Sequence, residues 1–102
     1  MMNERIFSLL GIAQRAGKLL SGYELCLAAI KTKKARAAII SGDSADNTRK
    51  KFIGLCKNYN VPYIIYGDKY TLGKSIGKYR RTVLVITDKG LADAILDKYY
   101  SG

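Results

Sequence analysis

The residues best suited to bind a ligand form a basic stretch, residues 72–81, in which two glycines separate charged side chains. Its cations and its one aromatic ring are Lys74, Lys78, Tyr79, Arg80 and Arg81. An apolar, β-branched run follows at 82–87 and predicts a buried strand. Because cations attract phosphate and a ring can stack on a base, the stretch is a candidate nucleic-acid contact. The alternative is an exposed turn whose charges serve only solubility.

The same region also resembles a nucleotide-binding P-loop. That motif has four residues between its first glycine and its Gly-Lys-Ser triplet, whereas five residues separate Gly67 from Gly73 here. Loop length decides which amides converge on a phosphate. The carboxylate that would hold magnesium, Asp88, is also separated from its strand by Thr87. A nucleotide-binding enzyme is therefore the weaker alternative to nucleic-acid binding.

The composition favours a single basic domain. The chain has 102 residues, of which 48% are hydrophobic and 25% charged, so we expect one domain, 1–102, with one modest core. Eighteen Lys and Arg against eight Asp and Glu give a net charge of +10. Such an excess costs stability through self-repulsion and is typical of proteins that bind nucleic acid, anionic lipid or another acidic partner.

Other classes of protein are disfavoured. No apolar run is long enough to span a membrane, and the first helical pattern, with Glu4 and Arg5, leaves no signal peptide. We therefore expect a cytoplasmic protein with no membrane partner. Cys26 and Cys56 stand in apolar helical patterns and predict buried, reduced thiols. With no histidine in the chain, we expect no metal, no cofactor and no catalytic residue.

Hydrophobic spacing predicts helices that alternate with strands. The predicted strands are 18–20, 37–40, 61–66 and 82–87. The predicted caps and stops are Asn3 and Gly17 for the first helix, Ser21 and about Lys33 for the second, Asp68 and Gly77 for the fourth, and Asp88 for the last. In the second helix we expect Leu25, Ala29 and Ile30 to face inward. This order is typical of a three-layer α/β/α sandwich with a sheet of about four strands.

The start of the second helix is a second candidate contact. Ser21 and Glu24 have the spacing of a capping box. Gly22 brings the helix backbone close to whatever lies outside, and the free amides of a helix N-terminus suit phosphate or base-edge acceptors. The alternative is an ordinary helix cap.

Positive charge is clustered in two places. Residues 31–36 contain four cations and no acid, a net charge of +4, and residues 68–82 contain five cations and one aspartate, again +4. Residues 88–102 have a net charge of −1. We expect the two basic clusters to flank one binding surface.

Motifs along nearly the whole chain resemble the kink-turn RNA-binding proteins, the superfamily of large-subunit ribosomal proteins seven-Ae and thirty-e. The motifs are Gly22 at a helix start, Asp43 after the next strand, Leu55-Cys56, Val61-Pro62-Tyr63, and Leu72-Gly73 with Gly77. The opening Leu10-Gly11-Ile12-Ala13-Gln14-Arg15-Ala16-Gly17-Lys18 is similar to the small bacterial YlxQ-like branch.

The resemblance implies a three-layer α/β/α fold that binds a kinked RNA helix. In the family, the start of the second helix reads sheared G·A pairs, and the loop before the last strand covers an extruded nucleotide. The corresponding elements here are Gly22 onward and residues 78–81. The family typically has Ala-Asn-Glu after this glycine and a lysine three residues further on, whereas this chain has Tyr23, Glu24, Leu25 and then Ala28. A target other than a kink-turn therefore remains open.

We predict a non-enzymatic protein that binds structured RNA, either ribosomal or another kinked RNA, in association with the ribosome and as a monomer when free. A protein-interaction module with an acidic partner is a further alternative. The predicted RNA contacts are Lys18, Ser21, Gly22, Glu24, Leu25, Lys31, Lys74, Lys78, Tyr79, Arg80 and Arg81.

Overall fold

The alternating pattern of helices and strands is present in the structure, a computed structural model that describes residues 4–101. The helices are α1 (Glu4–Arg15), α2 (Tyr23–Lys31), α3 (Asp46–Asn58), α4 (Lys69–Ser75) and α5 (Lys89–Ser101). The strands are β1 (Leu19–Ser21), β2 (Ala37–Ile40), β3 (Tyr63–Ile65) and β4 (Val83–Ile86). The predicted cap at Asn3 lies outside the described residues.

The four strands form one mixed sheet in the order β1-β4-β2-β3. β4 runs antiparallel to both of its neighbours, whereas β2 and β3 are parallel. Every residue of β2 and β4 is buried, because helices cover both faces of these central strands. Such strands read as continuous apolar runs rather than as alternating ones, which is why both were visible in the sequence.

Two apolar cores lie on opposite faces of the sheet. On one face, Ile39 and Leu84 belong to a cluster with residues of α1, α4 and α5. On the other face, Ile40 and Val85 belong to a cluster with Cys26 and other residues of α2 and α3. Successive strand residues point to opposite faces, so each central strand contributes to both cores. The predicted three-layer α/β/α architecture is confirmed.

Two details of α2 differ from the prediction. Leu25 is 58% exposed, whereas Cys26 is fully buried with Ala29 and Ile30. The reason is that Cys26 shares the i, i+3, i+4 stripe of the buried pair, and Leu25 does not. The helix ends at Lys31 rather than near Lys33, because Lys33 adopts a positive φ of 62°.

The predicted capping box at Ser21 is also wrong. Ser21 is the last residue of β1, and Gly22 occupies the N-cap of α2 without a side-chain hydrogen bond. A capping box instead begins α4, where the Asp68 carboxylate accepts from the Thr71 amide and the Thr71 hydroxyl accepts from the Asp68 amide. The predicted caps at Asp68 and Asp88 are confirmed, since Asp88 accepts from the amide of Leu91.

Helix α4 holds the loop that precedes β4, residues 77–82, which we call the basic loop. The Lys78 amide donates to the Gly73 carbonyl at 2.8 Å, and the Arg81 amide donates to the Lys69 carbonyl at 2.9 Å. A Cβ atom at Gly73 would lie 2.6 Å from the Cα of Arg80. The absence of a side chain at Gly73 therefore lets the basic loop pack directly against α4.

Substitution of Gly73 by alanine tests this packing. The new methyl group meets backbone atoms of the basic loop, which must shift. We expect a loss of about 1–3 kcal/mol in the free energy of unfolding, measured by urea denaturation. The matched control is Gly54→Ala in α3, where a Cβ meets no atom within 4 Å. It should stabilise the protein by up to about 1 kcal/mol. Equal stability of the two variants would contradict the close packing.

The two buried cysteines allow a second test. Burial, with a smaller contribution from nearby Cys56, raises the pKa of Cys26 to about 12, and burial raises the pKa of Cys56 to about 11. Both thiols therefore remain protonated at pH 8, where the reactive species is the thiolate. We expect no reaction with a chromogenic disulfide reagent in the native state and reaction of both thiols in urea. Rapid native-state reaction of either thiol would show that α2 and α3 do not seal this core.

Candidate nucleic-acid interface

The start of α2 is open to an external ligand. Gly22 has φ 98° and ψ 158°, a backbone conformation essentially restricted to glycine. Its amide donates to the Val83 carbonyl at 3.3 Å, which joins the helix start to β4. A Cβ at Gly22 would have no heavy atom within 4 Å. With no side chain capping α2 within residues 4–101, its first amides are left for water or for a ligand.

The basic loop lies beside this helix start. The Arg81 guanidinium donates through Nε to the Ser21 hydroxyl at 3.2 Å and through Nη1 to the Arg80 carbonyl at 2.6 Å. The bond to Ser21 connects β1 to the basic loop at this end of the sheet. A shallow pocket of about 470 Å³ opens between the elements. Its lining consists of Ser21, Gly22, Asp43, Ala45, Thr48, Lys69, Arg80, Arg81 and Thr82.

Two carboxylates accept hydrogen bonds from the backbone amides at the start of α4. Asp43 accepts from the Lys69 amide at 2.9 Å, and one oxygen of Asp68 accepts from the amides of Tyr70 and Thr71, each at 2.9 Å. The hydrogen bond from Thr71 is the main cause of a lowered pKa at Asp68, so this carboxyl is ionised near neutrality. A P-loop would direct these amides at a phosphate. Here carboxylates of the protein already hold them.

An exposed pair of aromatic rings lies at the outer side of the basic loop. Tyr79 is 78% exposed, and its ring packs edge-on against Tyr70 with centroids 5.8 Å apart. The Lys69 ammonium lies 5.6 Å from the centroid of Tyr70. Tyr79 therefore does not cover the edge of the core, and its exposed face is free to stack on a base.

The first turn of α2 is anchored by a third tyrosine. The ring of Tyr23 packs edge-on against Phe52 of α3 at 5.2 Å, and the Lys51 ammonium lies 5.5 Å from its centroid. Glu24 and Leu25 in the same turn are exposed. Anchored by Tyr23, the helix presents Glu24 and Leu25 to solvent beside Gly22.

The structure gathers only some of the predicted residues at this place. Ser21, Gly22, Arg80 and Arg81 line one pocket. The other predicted residues of α2's first turn and the basic loop, Glu24, Leu25, Lys78 and Tyr79, are exposed in the adjoining segments. Lys74 instead lines a separate cleft between α1 and α4.

Lys18 and Lys31 lie at the other end of the sheet. The Lys18 carbonyl accepts from the amide of Thr87, and the Arg36 amide donates to the carbonyl of Ile86, the last residue of β4. The Gly22 amide donates to the carbonyl of Val83, the first residue of β4. Lys31 is the last residue of α2, about 13 Å from the helix start. The two basic clusters therefore do not flank one surface, because the length of α2 and β4 separates them.

Sequence reasoning missed Thr48 and Lys69, which line this pocket, and Tyr70, whose ring contacts Tyr79. Asp43 was singled out in the sequence only because it belongs to the motifs shared with the family. The signal for Tyr70 was weak, because eight residues, among them Gly77 at a turn, separate it from Tyr79. Their contact arises only when the basic loop folds back on α4.

The described helices include none of the length and apolar character that crossing a membrane requires. Residues 4–101 likewise bring together no three side chains of the cysteine, aspartate or glutamate type that could ligate a metal.

Comparison with known proteins places these features in a family. Residues 4–96 match the model of the ribosomal protein L7Ae/L30e/S12e/Gadd45 family. The RNA-binding protein YlxQ of Bacillus subtilis (strain 168) is 39% identical over 90 residues, which cover 88% of this chain and 90% of that protein. The RNA-binding protein YlxQ of Enterococcus faecium is 36% identical over 89 residues, which cover 87% of this chain and 85% of that protein.

Two solved structures share the fold. A protein of unknown function from Bacillus halodurans C superposes with a TM-score of 0.90 at 33% identity, over 93% of this chain and 96% of that one. The Giardia lamblia 15.5kD RNA binding protein superposes with a TM-score of 0.81 at 22% identity, over 99% of this chain and 92% of that one. Since the family model matches nearly the whole chain and the YlxQ relatives exceed 30% identity, this chain belongs to the ribosomal protein L7Ae/L30e/S12e/Gadd45 family, as its motifs predicted.

Proposed function

We propose that this protein binds structured RNA at the surface formed by the start of α2 and the basic loop. The observation that carries the proposal is the uncapped, open helix start at Gly22, joined to the Arg81 side chain through Ser21. Relatives that are identical to it at more than a third of the aligned positions are named as RNA-binding proteins, which supports the same class of ligand.

Recognition combines two kinds of contact. The amides that follow Gly22 offer donors to base edges or phosphate, and Glu24 offers an acceptor to base amino groups. Arg80 and Arg81 supply cations at the pocket rim, where an arginine can bind phosphate through two donors. The pocket has room for an extruded nucleotide, and the exposed ring of Tyr79 adds a stacking surface beside it.

The proposed target is a kinked RNA of the kink-turn type, bound in association with the ribosome by a protein that is monomeric when free. Family membership supports this target. Glu24, Leu25 and Ala28 replace the polar residues that the family uses, so the pattern of bases read must differ. The buried, reduced thiols of Cys26 and Cys56 agree with a cytoplasmic location.

The competing functions have less support. A P-loop enzyme needs the amides at the start of α4, which Asp43 and Asp68 occupy. An acidic protein partner would use the cations of the basic loop, but the YlxQ relatives are named as RNA-binding proteins, which favours RNA. We therefore propose a binding protein and not an enzyme.

RNA binding should depend steeply on salt. Each phosphate neutralised by a cation adds about 0.7–0.9 to the slope of log affinity against log salt concentration. We expect Arg80→Ala with Arg81→Ala to lower the slope by about 1.4–1.8 and to weaken kinked and plain duplex RNA alike. Titrations of fluorescent RNA from low to moderate salt measure both quantities. If the protein binds no RNA even at low salt, the proposed function is wrong.

Gly22→Ala should remove discrimination between RNAs. The added methyl group projects into open space and obstructs the ligand rather than the protein. We expect the preference for a kinked RNA over a plain duplex of equal length to fall about tenfold or more, the value of one specific contact. Non-specific affinity should persist because the loop cations remain.

Gly17→Ala is the matched control for this substitution. Gly17 also has a positive φ, 70°, and open space around a Cβ, but it lies at the end of α1. Both variants should lose stability through backbone strain, by about 1–2 kcal/mol at Gly17 and about 1–3 kcal/mol at Gly22, as urea denaturation would measure. Only Gly22→Ala should lose discrimination. An equal loss in both, or unchanged discrimination in a folded Gly22→Ala protein, would place the readout elsewhere.

A further inference from the structure

A second group of cations lies at the far end of α2 from Gly22. We call Lys18, Lys31, Lys33, Lys34 and Arg36 the far-end cluster. All five are exposed. The described part of the chain contains two ion pairs, Arg49 with Asp46 and Lys89 with Asp93, and neither includes a member of this cluster. Asp88 follows Thr87, whose amide donates to the Lys18 carbonyl, and its carboxylate accepts from the Leu91 amide. The cluster therefore adds self-repulsion, and no ion pair within residues 4–101 compensates it.

Lys33 adds an independent observation. Helices α1 and α2 end in the same hydrogen-bond pattern. In α1, the Lys18 amide donates to Ala13 and the Gly17 amide to Gln14. In α2, the Lys34 amide donates to Ala29 and the Lys33 amide to Ile30. The left-handed position is Gly17 in α1, with φ 70°, and Lys33 in α2, with φ 62°.

Glycine adopts this conformation without strain, and a lysine does not. A local choice that opposes stability is expected where a residue serves a ligand. The strained backbone at Lys33 marks this turn as a candidate ligand contact, because the lysine supplies a charge that an unstrained glycine would lack.

The character of the surface favours a nucleic-acid backbone over a protein. A protein interface needs apolar or aromatic anchors at its centre. The large exposed apolar side chains of the described residues are Ile12, Tyr23, Leu25, Tyr70, Tyr79 and Tyr100, and none belongs to residues 31–36. Binding to phosphates requires only cations.

The outward side of α2 connects the far-end cluster to the proposed site. Leu25, Ala28 and Lys31 are exposed along it at successive turns. The small side chain of Ala28 allows a duplex to approach the helix closely. The distance from the helix start to Lys31 is about 13 Å, which corresponds to about four base-pair steps at 3.4 Å each.

We propose that the far-end cluster is a second phosphate-binding surface, which holds the stem of the bound RNA where it continues from Gly22 along α2. This inference rests on the proposed function. The specific site at Gly22 sets which RNA binds, and the far-end cluster adds affinity that depends on stem length and not on sequence.

The test compares two RNAs that contain the same kinked element. In one RNA the stem ends at the kinked element, and in the other the stem continues beyond it for about ten base pairs, which adds phosphates for the far-end cluster. Wild-type protein should bind the longer RNA more tightly, with a salt slope steeper by about 1.4–1.8 if two phosphates are gained. Lys33→Ala with Lys34→Ala should remove that difference and leave the affinity for the shorter RNA unchanged.

The charge-matched control is Lys57→Ala with Lys98→Ala. Lys57 lines a groove along β3 at the other edge of the sheet, and Lys98 precedes Tyr99 of the same groove. This control should keep the preference for the longer RNA. Lys33→Gly is a further control for folding, because it removes both the charge and the left-handed strain. It should raise the melting temperature while it weakens binding of the longer RNA.

The proposal of a second surface would be overturned if wild-type protein bound the two RNAs with equal affinity. It would also be overturned if the Lys57 and Lys98 control lost the preference for the longer RNA as fully as the Lys33 and Lys34 variant. Either result would leave the proposed site at Gly22 intact. Binding of poly-glutamate as tight as that of the longer RNA at equal charge concentration would instead indicate an acidic protein as the partner and also overturn it. Failure of wild-type protein to bind even the shorter RNA would remove the proposed function itself.

Discussion

The arrangement of the candidate site depends on β4, the strand that pairs with β1 on one side and β2 on the other. Because β1 and β4 are antiparallel, the end of β1 and the beginning of β4 meet at one end of the sheet. Gly22 follows the first strand and the basic loop precedes the second. The hydrogen bond from Gly22 to Val83 and the bond from Arg81 to Ser21 complete this junction. Two segments about 60 residues apart in sequence therefore form one surface.

The high net charge is tolerable because the fold buries its apolar residues on both faces of the sheet. The large side chains of the two clusters, among them Phe52, Ile39 and Leu84, are fully buried. Removal of this apolar area from water is the main favourable term in folding. It offsets the repulsion among cations that have no ion-pair partner within the described residues. The chain thus keeps unpaired positive charge available on its surface.

Several local features oppose stability at the places where a ligand is proposed to bind. Gly22 holds α2 in a conformation that other residues avoid and leaves the helix without a side-chain cap. Lys33 occupies a left-handed position that glycine would fill with less strain. By contrast, α4, whose amides carry no proposed ligand, has a complete capping box at Asp68 and Thr71. The first amides of α2 are therefore left for an external partner, whereas those of α4 are hydrogen-bonded within the protein.

The sequence by itself determined the layers, the central strands and the class of partner. Apolar runs such as 37–40 and 83–86 are strands buried on both faces, and the excess of cations is a property of composition alone. Tertiary structure decided which cations share a surface, because that depends on strand direction and on the length of α2. In the folded chain the Ser21 hydroxyl accepts from Arg81 and does not cap α2, and the ring of Tyr70 contacts that of Tyr79. These are contacts between distant segments, and local spacing contains no information on them.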